Sequence, residues 1–148
     1  MSQNCRKKSS MSTVTAKNKE IKIELADGLP IIQGDRIQLQ QVLLNLISNS
    51  LEAMEESSDS HELMIRTSLK DAGTILVQVK DSGCGIPEEN ESKLFSHFFT
   101  SKPDGLGMGL SISRSIVEAH GGRLEAENNP DRGATFYFSI PVHMKDEP

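Results

Sequence analysis

The chain has 148 residues, enough for one ordinary domain whose two-layer core needs neither disulfides nor metal clips. Hydrophobic residues make up 36% and charged residues 25%, and the net charge of −5 argues against a non-specific nucleic-acid binder and against direct contact with an anionic membrane. Any phosphate held here must be neutralised locally, by a metal ion, backbone N–H groups or a few placed cations.

Cys5 and Cys84 define neither a disulfide framework nor a zinc spacing, which favours a reducing compartment. No apolar run approaches the length of a membrane span, and the N-terminus lacks the apolar stretch of a signal peptide. A cytoplasmic location is expected for this chain, with membrane anchoring of a larger parent protein left open.

Residues 1–18, rich in Ser, Thr, Lys and Asn, read as a flexible leader. Residues 20–25 alternate apolar and polar side chains and read as a half-buried strand, with Ile31-Ile32 as a short second one. Asp35 suits the N-cap of a helix running to about Met54, with Leu43, Leu46, Ile47, Leu51 and Met54 on its apolar face. Residues 62–70 and 74–80 read as strands joined by a turn at Asp71-Ala72-Gly73. The second ends in a glycine-rich corner, Asp81-Ser82-Gly83-Cys84-Gly85-Ile86-Pro87.

Residues 88–109 are irregular apart from a short helical stretch near 92–95, and a loop that long in a compact domain is functional or disordered. Residues 110–120 read as a second helix closed by Gly121-Gly122. Residues 123–127 and 133–140 read as a last strand pair across Asn128-Asn129-Pro130-Asp131-Arg132. Without a regular βαβ rhythm, the expected class is α/β of the α+β kind, a two-layer sandwich with a mixed sheet.

Four features could carry chemistry. Asn45 and Asn49 stand four apart and leave one face of the first helix. Their amide oxygens are hard ligands suited to Mg²⁺, although a surface amide beside a satisfied buried one is the plainer reading of the pair alone. Asp81 ends a strand, where a carboxylate can accept from the exocyclic amine of adenine and refuse the carbonyl of guanine; an ordinary Asp-Gly turn is the plainer reading. Gly105-Leu106-Gly107-Met108-Gly109 opens the second helix as a hinge or a phosphate cradle, but has the spacing of neither a P-loop nor a dinucleotide fingerprint. Lys102 is a surface lysine or a mobile charge for a terminal phosphate, and Phe95, Phe98 and Phe99 read as packing anchors. His120 serves a helix end better than chemistry, and His61, His97 and His143 lack metal-ligand spacing.

Taken in order, these features resemble the GHKL superfamily, which contains gyrase, Hsp90, MutL and the histidine kinases. Residues 43–54, ending Asn49-Ser50-Leu51-Glu52-Ala53-Met54, are similar to the N box of a histidine kinase. Residues 81–87 resemble the G1 box, 94–102 the F box, 105–122 the G2 box, and 133–141 the final strand. The similarity spans residues 20–141 and is greatest to the FixL/NtrB type of two-component sensor.

The resemblance implies a Bergerat-type mixed sheet with helices on one face and a long ATP lid. Residues 19–142 would be the ATP-binding catalytic domain of a sensor histidine kinase, and 143–148 a tail. ATP and Mg²⁺ are the implied cofactors. Asn49 would hold Mg²⁺ with Asn45 assisting catalysis, and Asp81 would contact the adenine amine. Gly83, Gly85 and Ile86 would shape the base pocket. Gly105, Leu106, Gly107, Met108, Gly109 and Leu110 would form the phosphate side of the lid, with Lys102 reaching the γ-phosphate. Thr135 would supply the hydroxyl beside the base, because Ala134 stands where the family has Ser or Thr. Glu52 replaces the family's basic residue, and His97 replaces a proline in the F box.

The implied reaction moves the γ-phosphoryl group to a histidine on a separate dimerisation and phosphoacceptor helical domain, with a response regulator receiver domain as the further partner. His61-Glu62 is rejected as the acceptor because it opens a strand. The chain alone is expected to bind ATP without phosphorylating itself. An anti-sigma-type serine kinase and a nucleotide-binding regulatory module without phosphotransfer are the alternative readings.

Overall fold

The computed structural model describes residues 9–16, 19–55, 61–71, 73–88, 94–95 and 109–142. Its strands are β1 (Ser9–Ala16), β2 (Lys19–Ala26), β3 (His61–Asp71), β4 (Thr74–Asp81), β5 (Arg123–Asn128) and β6 (Ala134–Pro141), in the sheet order β1-β2-β3-β4-β6-β5. Helices α1 (Arg36–Glu55) and α2 (Gly109–Ala119) pack on one another and on the sheet. The β2–β3 pair is parallel, with α1 crossing between them, and every other neighbouring pair is antiparallel. The expected mixed-sheet α/β sandwich is therefore what forms.

Period-two alternation builds the inner face. Ile75 and Val79 of β4 pair with Ile140 and Phe136 of β6, and Leu63 and Ile65 of β3 pair with Asp81 and Val79. Against them lie Val42, Leu46 and Met54 of α1, all at 0% exposure and spaced to fall on one helical stripe. Each such side chain stabilises the fold by roughly 1.5–3 kcal/mol. Asp81 sits in phase with this apolar set, so a carboxylate is carried onto the helix-facing side.

Two sequence expectations are corrected. Residues 9–16, read as part of a flexible leader, form β1 and pair antiparallel with β2 from Ser9↔Ala26 to Ala16↔Lys19. Polar composition hid this strand. An edge strand can be Ser- and Thr-rich, and the β-branched run Thr13-Val14-Thr15 favours extended backbone. Ile31-Ile32 forms no strand; Pro30 offers no N–H, Ile31 is 90% exposed, and Ile32 packs on the core from a loop.

Asp35 caps α1 as expected, its Oδ1 accepting from the Gln38 N–H at 3.0 Å. At the other end of the helix pair, α2 closes in a Schellman turn. Gly122 N–H donates to the Val117 carbonyl at 3.0 Å, Gly121 N–H to Glu118 at 2.9 Å, and Gly121 takes φ 85°.

His120 ties the two ends together. Its Nε2 accepts from the Asp35 N–H at 3.0 Å, while Nδ1 lies 2.8 Å from the Ile116 carbonyl, so the neutral Nδ1–H tautomer satisfies both. We expect His120→Ala to lower stability by about 1–2 kcal/mol through these two bonds. A denaturant midpoint unchanged at constant m-value would show that the bridge contributes nothing.

Candidate functional site

The site is organised by a single stripe of α1. Asn45, Asn49 and Ala53 follow one another at four-residue intervals and span about 12 Å of helix. At one end the Asn45 Nδ2 donates to the Gly109 carbonyl at 3.3 Å and to the buried Ser113 Oγ at 3.0 Å, which seats the start of α2 on α1. At the other end Gly83 lies against the Ala53 backbone: a Cβ on Gly83 would stand 2.9 Å from the Ala53 carbonyl carbon and oxygen. The glycine corner after β4 and the start of α2 thus share one helix face, with Asn49 between them. The first turn of α2, whose N–H groups have no acceptor within their own helix, lies at the Asn45 end.

Asp81, at 2% exposure, stands where β4 meets that corner. Its Oδ1 accepts from the Gly83 N–H at 2.8 Å and from the Ala134 N–H of β6 at 3.2 Å. Burial pushes its carboxyl pKa above the ordinary value; the two backbone donors, the Ser50 hydroxyl and the nearby His61 oppose that shift. Both backbone donors go to Oδ1, which leaves Oδ2 free of them. A desolvated acceptor with one oxygen fixed and the other unclaimed by the backbone is suited to read a donor on a ligand.

The remaining expected residues divide clearly. Ile86 and Leu110 turn side chains onto the hydrophobic core, and Gly85 takes φ 82° at the corner. Phe95 packs on the core beneath the Arg114 guanidinium, 5.3 Å from the ring centroid, in keeping with an anchoring role. Lys102, Gly105, Leu106, Gly107 and Met108 lie outside the described residues, as do His97, Phe98, Phe99 and the 143–148 tail.

Thr135 is corrected. It pairs with Lys80, and those two side chains project from the sheet face opposite Asp81. The Thr135 hydroxyl donates to Asn129 Oδ1 at 2.5 Å. The parity of Ala134, Phe136, Phe138 and Ile140 in the sequence would have placed it there. His61 begins β3 at 4% exposure, as its rejection as a phosphoacceptor required.

Three participants were not singled out from the sequence. Ser113 looked like one more polar position in a helix, yet it is fully buried and holds Asn45. Asn128 and Asn129 read only as turn residues, and both reach the glycine corner. Among the described residues no group of three His, Cys, Asp or Glu side chains could hold a metal, so a cation here would need oxygens from its ligand. The described helices include none long and apolar enough to cross a membrane.

A mixed sheet with helices on its inner face, an amide-bearing helix stripe and a buried carboxylate at a glycine corner define the chain as a nucleotide-binding α/β sandwich domain. The family model described as histidine kinase-, DNA gyrase B- and HSP90-like ATPase matches residues 34–144. The chain belongs to that family, and the family implies ATP binding.

Within it, the chain is 46% identical over 125 residues to the sensor protein FixL of Bradyrhizobium diazoefficiens, covering 84% of this chain and 25% of FixL. It is similar to the catalytic domain of histidine kinase ThkA at 36% identity and TM-score 0.70, covering 84% of this chain and 79% of that one. ThkA has also been solved in complex with the response regulator TrrA. Full-length ShkA in complex with AMPPNP matches at 29% identity and TM-score 0.73, over 89% of this chain and 27% of ShkA. The chain thus corresponds to the catalytic domain of sensor histidine kinases and spans a quarter of the length of FixL.

Proposed function

We propose that this domain binds Mg-ATP along the α1 stripe and delivers the γ-phosphoryl group to a histidine on a separate helical dimerisation domain, from which a response regulator receiver takes it. The observation that carries the reading is the shared stripe, with the Asp81 corner at its Ala53 end and the start of α2 at its Asn45 end. Adenine would lie against Asp81, Gly83 and Gly85, and the phosphates toward Gly109. The AMPPNP bound by ShkA and the TrrA bound by ThkA support the nucleotide and the partner respectively.

Asn49 would hold the metal through its amide oxygen, together with phosphate oxygens. A bound Mg²⁺ would supply charge neutralisation for the phosphates. Asn45 spends its amide nitrogen on Gly109 and Ser113, so its part is to fix the phosphate end of the site and present Oδ1 beside Asn49. A neutral amide so engaged is a poor general base. That disfavours a serine kinase or a water-activating ATPase, in which a carboxylate would stand at position 45. The lid residues Gly105, Leu106, Gly107 and Met108 would close over the phosphates, with Lys102 as their point charge.

The test incubates the chain with γ-labelled ATP, Mg²⁺ and the histidine-bearing hairpin of its parent kinase. Label should enter the hairpin as acid-labile, base-stable phosphohistidine, and only when the hairpin is present. In Asn49→Ala the magnesium dependence of ATP binding should vanish. Retained dependence would remove Asn49 as the ligand, and label on serine would overturn the histidine-kinase reading.

A further inference from the structure

The corner that carries Asp81 contains Gly83 and Gly85, whose backbones are free to adopt more conformations than other residues, and Gly85 stands at φ 82°. Two consecutive side chains hold the corner, one from the last residue of β5 and one from the turn that follows. The Asn128 Oδ1 accepts from the Ile86 N–H at 2.7 Å and its Nδ2 donates to the Ile86 carbonyl at 3.0 Å, so one amide clasps one residue's backbone from both sides. This clasp fits only over a glycine: a Cβ on Gly85 would stand 2.9 Å from Asn128 Oδ1.

Asn129 holds the other end. Its Nδ2 donates to the Asp81 carbonyl at 2.9 Å and to the Arg132 carbonyl at 3.0 Å, and its Oδ1 accepts from Thr135. Its own N–H closes the turn on the Gly133 carbonyl at 2.8 Å. The carbonyl of Asp81 is therefore tied to the turn, while the carboxylate of the same residue is oriented by Gly83 and Ala134. Neither asparagine lies on α1 or on the carboxylate itself.

We propose that Asn128 and Asn129 are positioning residues that set base specificity by latching the glycine corner, so that the Asp81 carboxylate keeps a fixed place relative to the purine edge. The proposal rests on the reading of Asp81 as the acceptor for the adenine amine. The physical argument is preorganisation. An acceptor discriminates one purine from another only while its oxygen stays within hydrogen-bonding distance and angle, and a displacement of about 1 Å forfeits most of that gain. With the latch intact the corner has one geometry before the nucleotide arrives. With either amide removed, two glycines allow the carboxylate several placements, and a ligand must select among them.

This predicts a particular pattern. Loss of the latch should erode discrimination between bases more than affinity for phosphate, because the phosphate end is fixed separately through Asn45 and Ser113.

The experiment compares wild type, Asn128→Ala and Asn129→Ala, each titrated with ATP and with purine riboside triphosphate, whose base lacks the exocyclic amine. Amide exchange is followed in the nucleotide-free protein. Wild type should prefer ATP, and each variant should lose at least fivefold of that preference. The Gly83 and Ile86 amides should exchange at least tenfold faster, while inner-strand amides of β3 and β4 keep wild-type protection. Asn129→Asp, which retains an oxygen for Thr135 and removes the donor to the Asp81 carbonyl, should behave like Asn129→Ala and gives a second variant if that one folds poorly. A wild-type protein indifferent to the amine brings down the reading of Asp81, and the proposal with it. A discriminating wild type whose ratio survives in the variants overturns the latch alone, as does unchanged exchange at Gly83 and Ile86.

Discussion

Asp81→Asn should weaken adenine-nucleotide binding by about 1–3 kcal/mol, roughly 5- to 150-fold, and yet leave the nucleotide-free protein at least as stable as wild type. The two halves of this expectation share one cause. An asparagine oxygen can still accept from Gly83 and Ala134, so the corner keeps its backbone bonds. What disappears is the buried charge and, at the second position, an acceptor; the amide nitrogen put there donates toward an amine that also donates.

Burial pushes the Asp81 pKa above its ordinary value, which means that the folded state holds the proton more tightly than the unfolded chain. The resulting stabilisation is complete below the unfolded pKa and is lost as pH rises through the raised folded-state value. Once ionised, the carboxylate is therefore a cost to the empty protein, in keeping with the binding role proposed for it. Calorimetric titration together with thermal melts above and below the acid transition checks both halves. Undiminished affinity would remove Asp81 from the base pocket, and a large fall in melting temperature would make it a structural acceptor instead.

The parts of this molecule that sequence made legible are those where a local rule and the tertiary structure agree. Asp35 caps α1 as read, and the apolar stripe of α1 is buried through Leu46 and Met54 with Leu43, Ile47 and Leu51 partly buried beside them, while Val42, fully buried, was not named. Asp81 and its glycines were legible as a corner; its place against a base belongs to the proposed function.

Three things were not legible, each for a physical reason. The strand at residues 9–16 is defined by its backbone pairing with β2, which a polar composition does not announce, so composition concealed it. Asn128 ends β5 and Asn129 opens the turn after it, a stretch in which asparagine is favoured regardless, and nothing local distinguishes an amide that closes its own turn from one that reaches Ile86 or Asp81 across the fold. Thr135 was expected beside the base only as a substitute for the hydroxyl that Ala134 lacks; the alternation of its neighbours assigns it to the other face.

Gly133→Ala should be the most damaging single methyl that can be added near the site. Gly133 takes φ 83°, a conformation that an alanine adopts only with strain, and its Cβ would stand 2.0 Å from the Asp81 carbonyl oxygen, 2.7 Å from the Asp81 carbonyl carbon and 2.8 Å from the Ser82 Cα. All three neighbours are backbone, so no side chain can rotate away. Relief requires the β5–β6 turn to withdraw from the corner. That would stretch the Asn129 bond to the same carbonyl and the Ala134 bond to the Asp81 carboxylate together. The expected loss is about 2–4 kcal/mol, which for a domain of this size lowers the melting temperature by roughly 5–15 °C. Gly73→Ala is the matched control, since a Cβ there would meet nothing among the described residues closer than the Asp71 Oδ1 at 3.9 Å, and it should change stability by less than about 0.5 kcal/mol. Equal melting temperatures for the two variants would mean that the turn does not press on the corner as described. Because the methyl displaces the peptide that carries Asp81, the folded fraction of Gly133→Ala should also bind ATP more weakly than that of Gly73→Ala, which makes the turn a determinant of the site as well as of the fold.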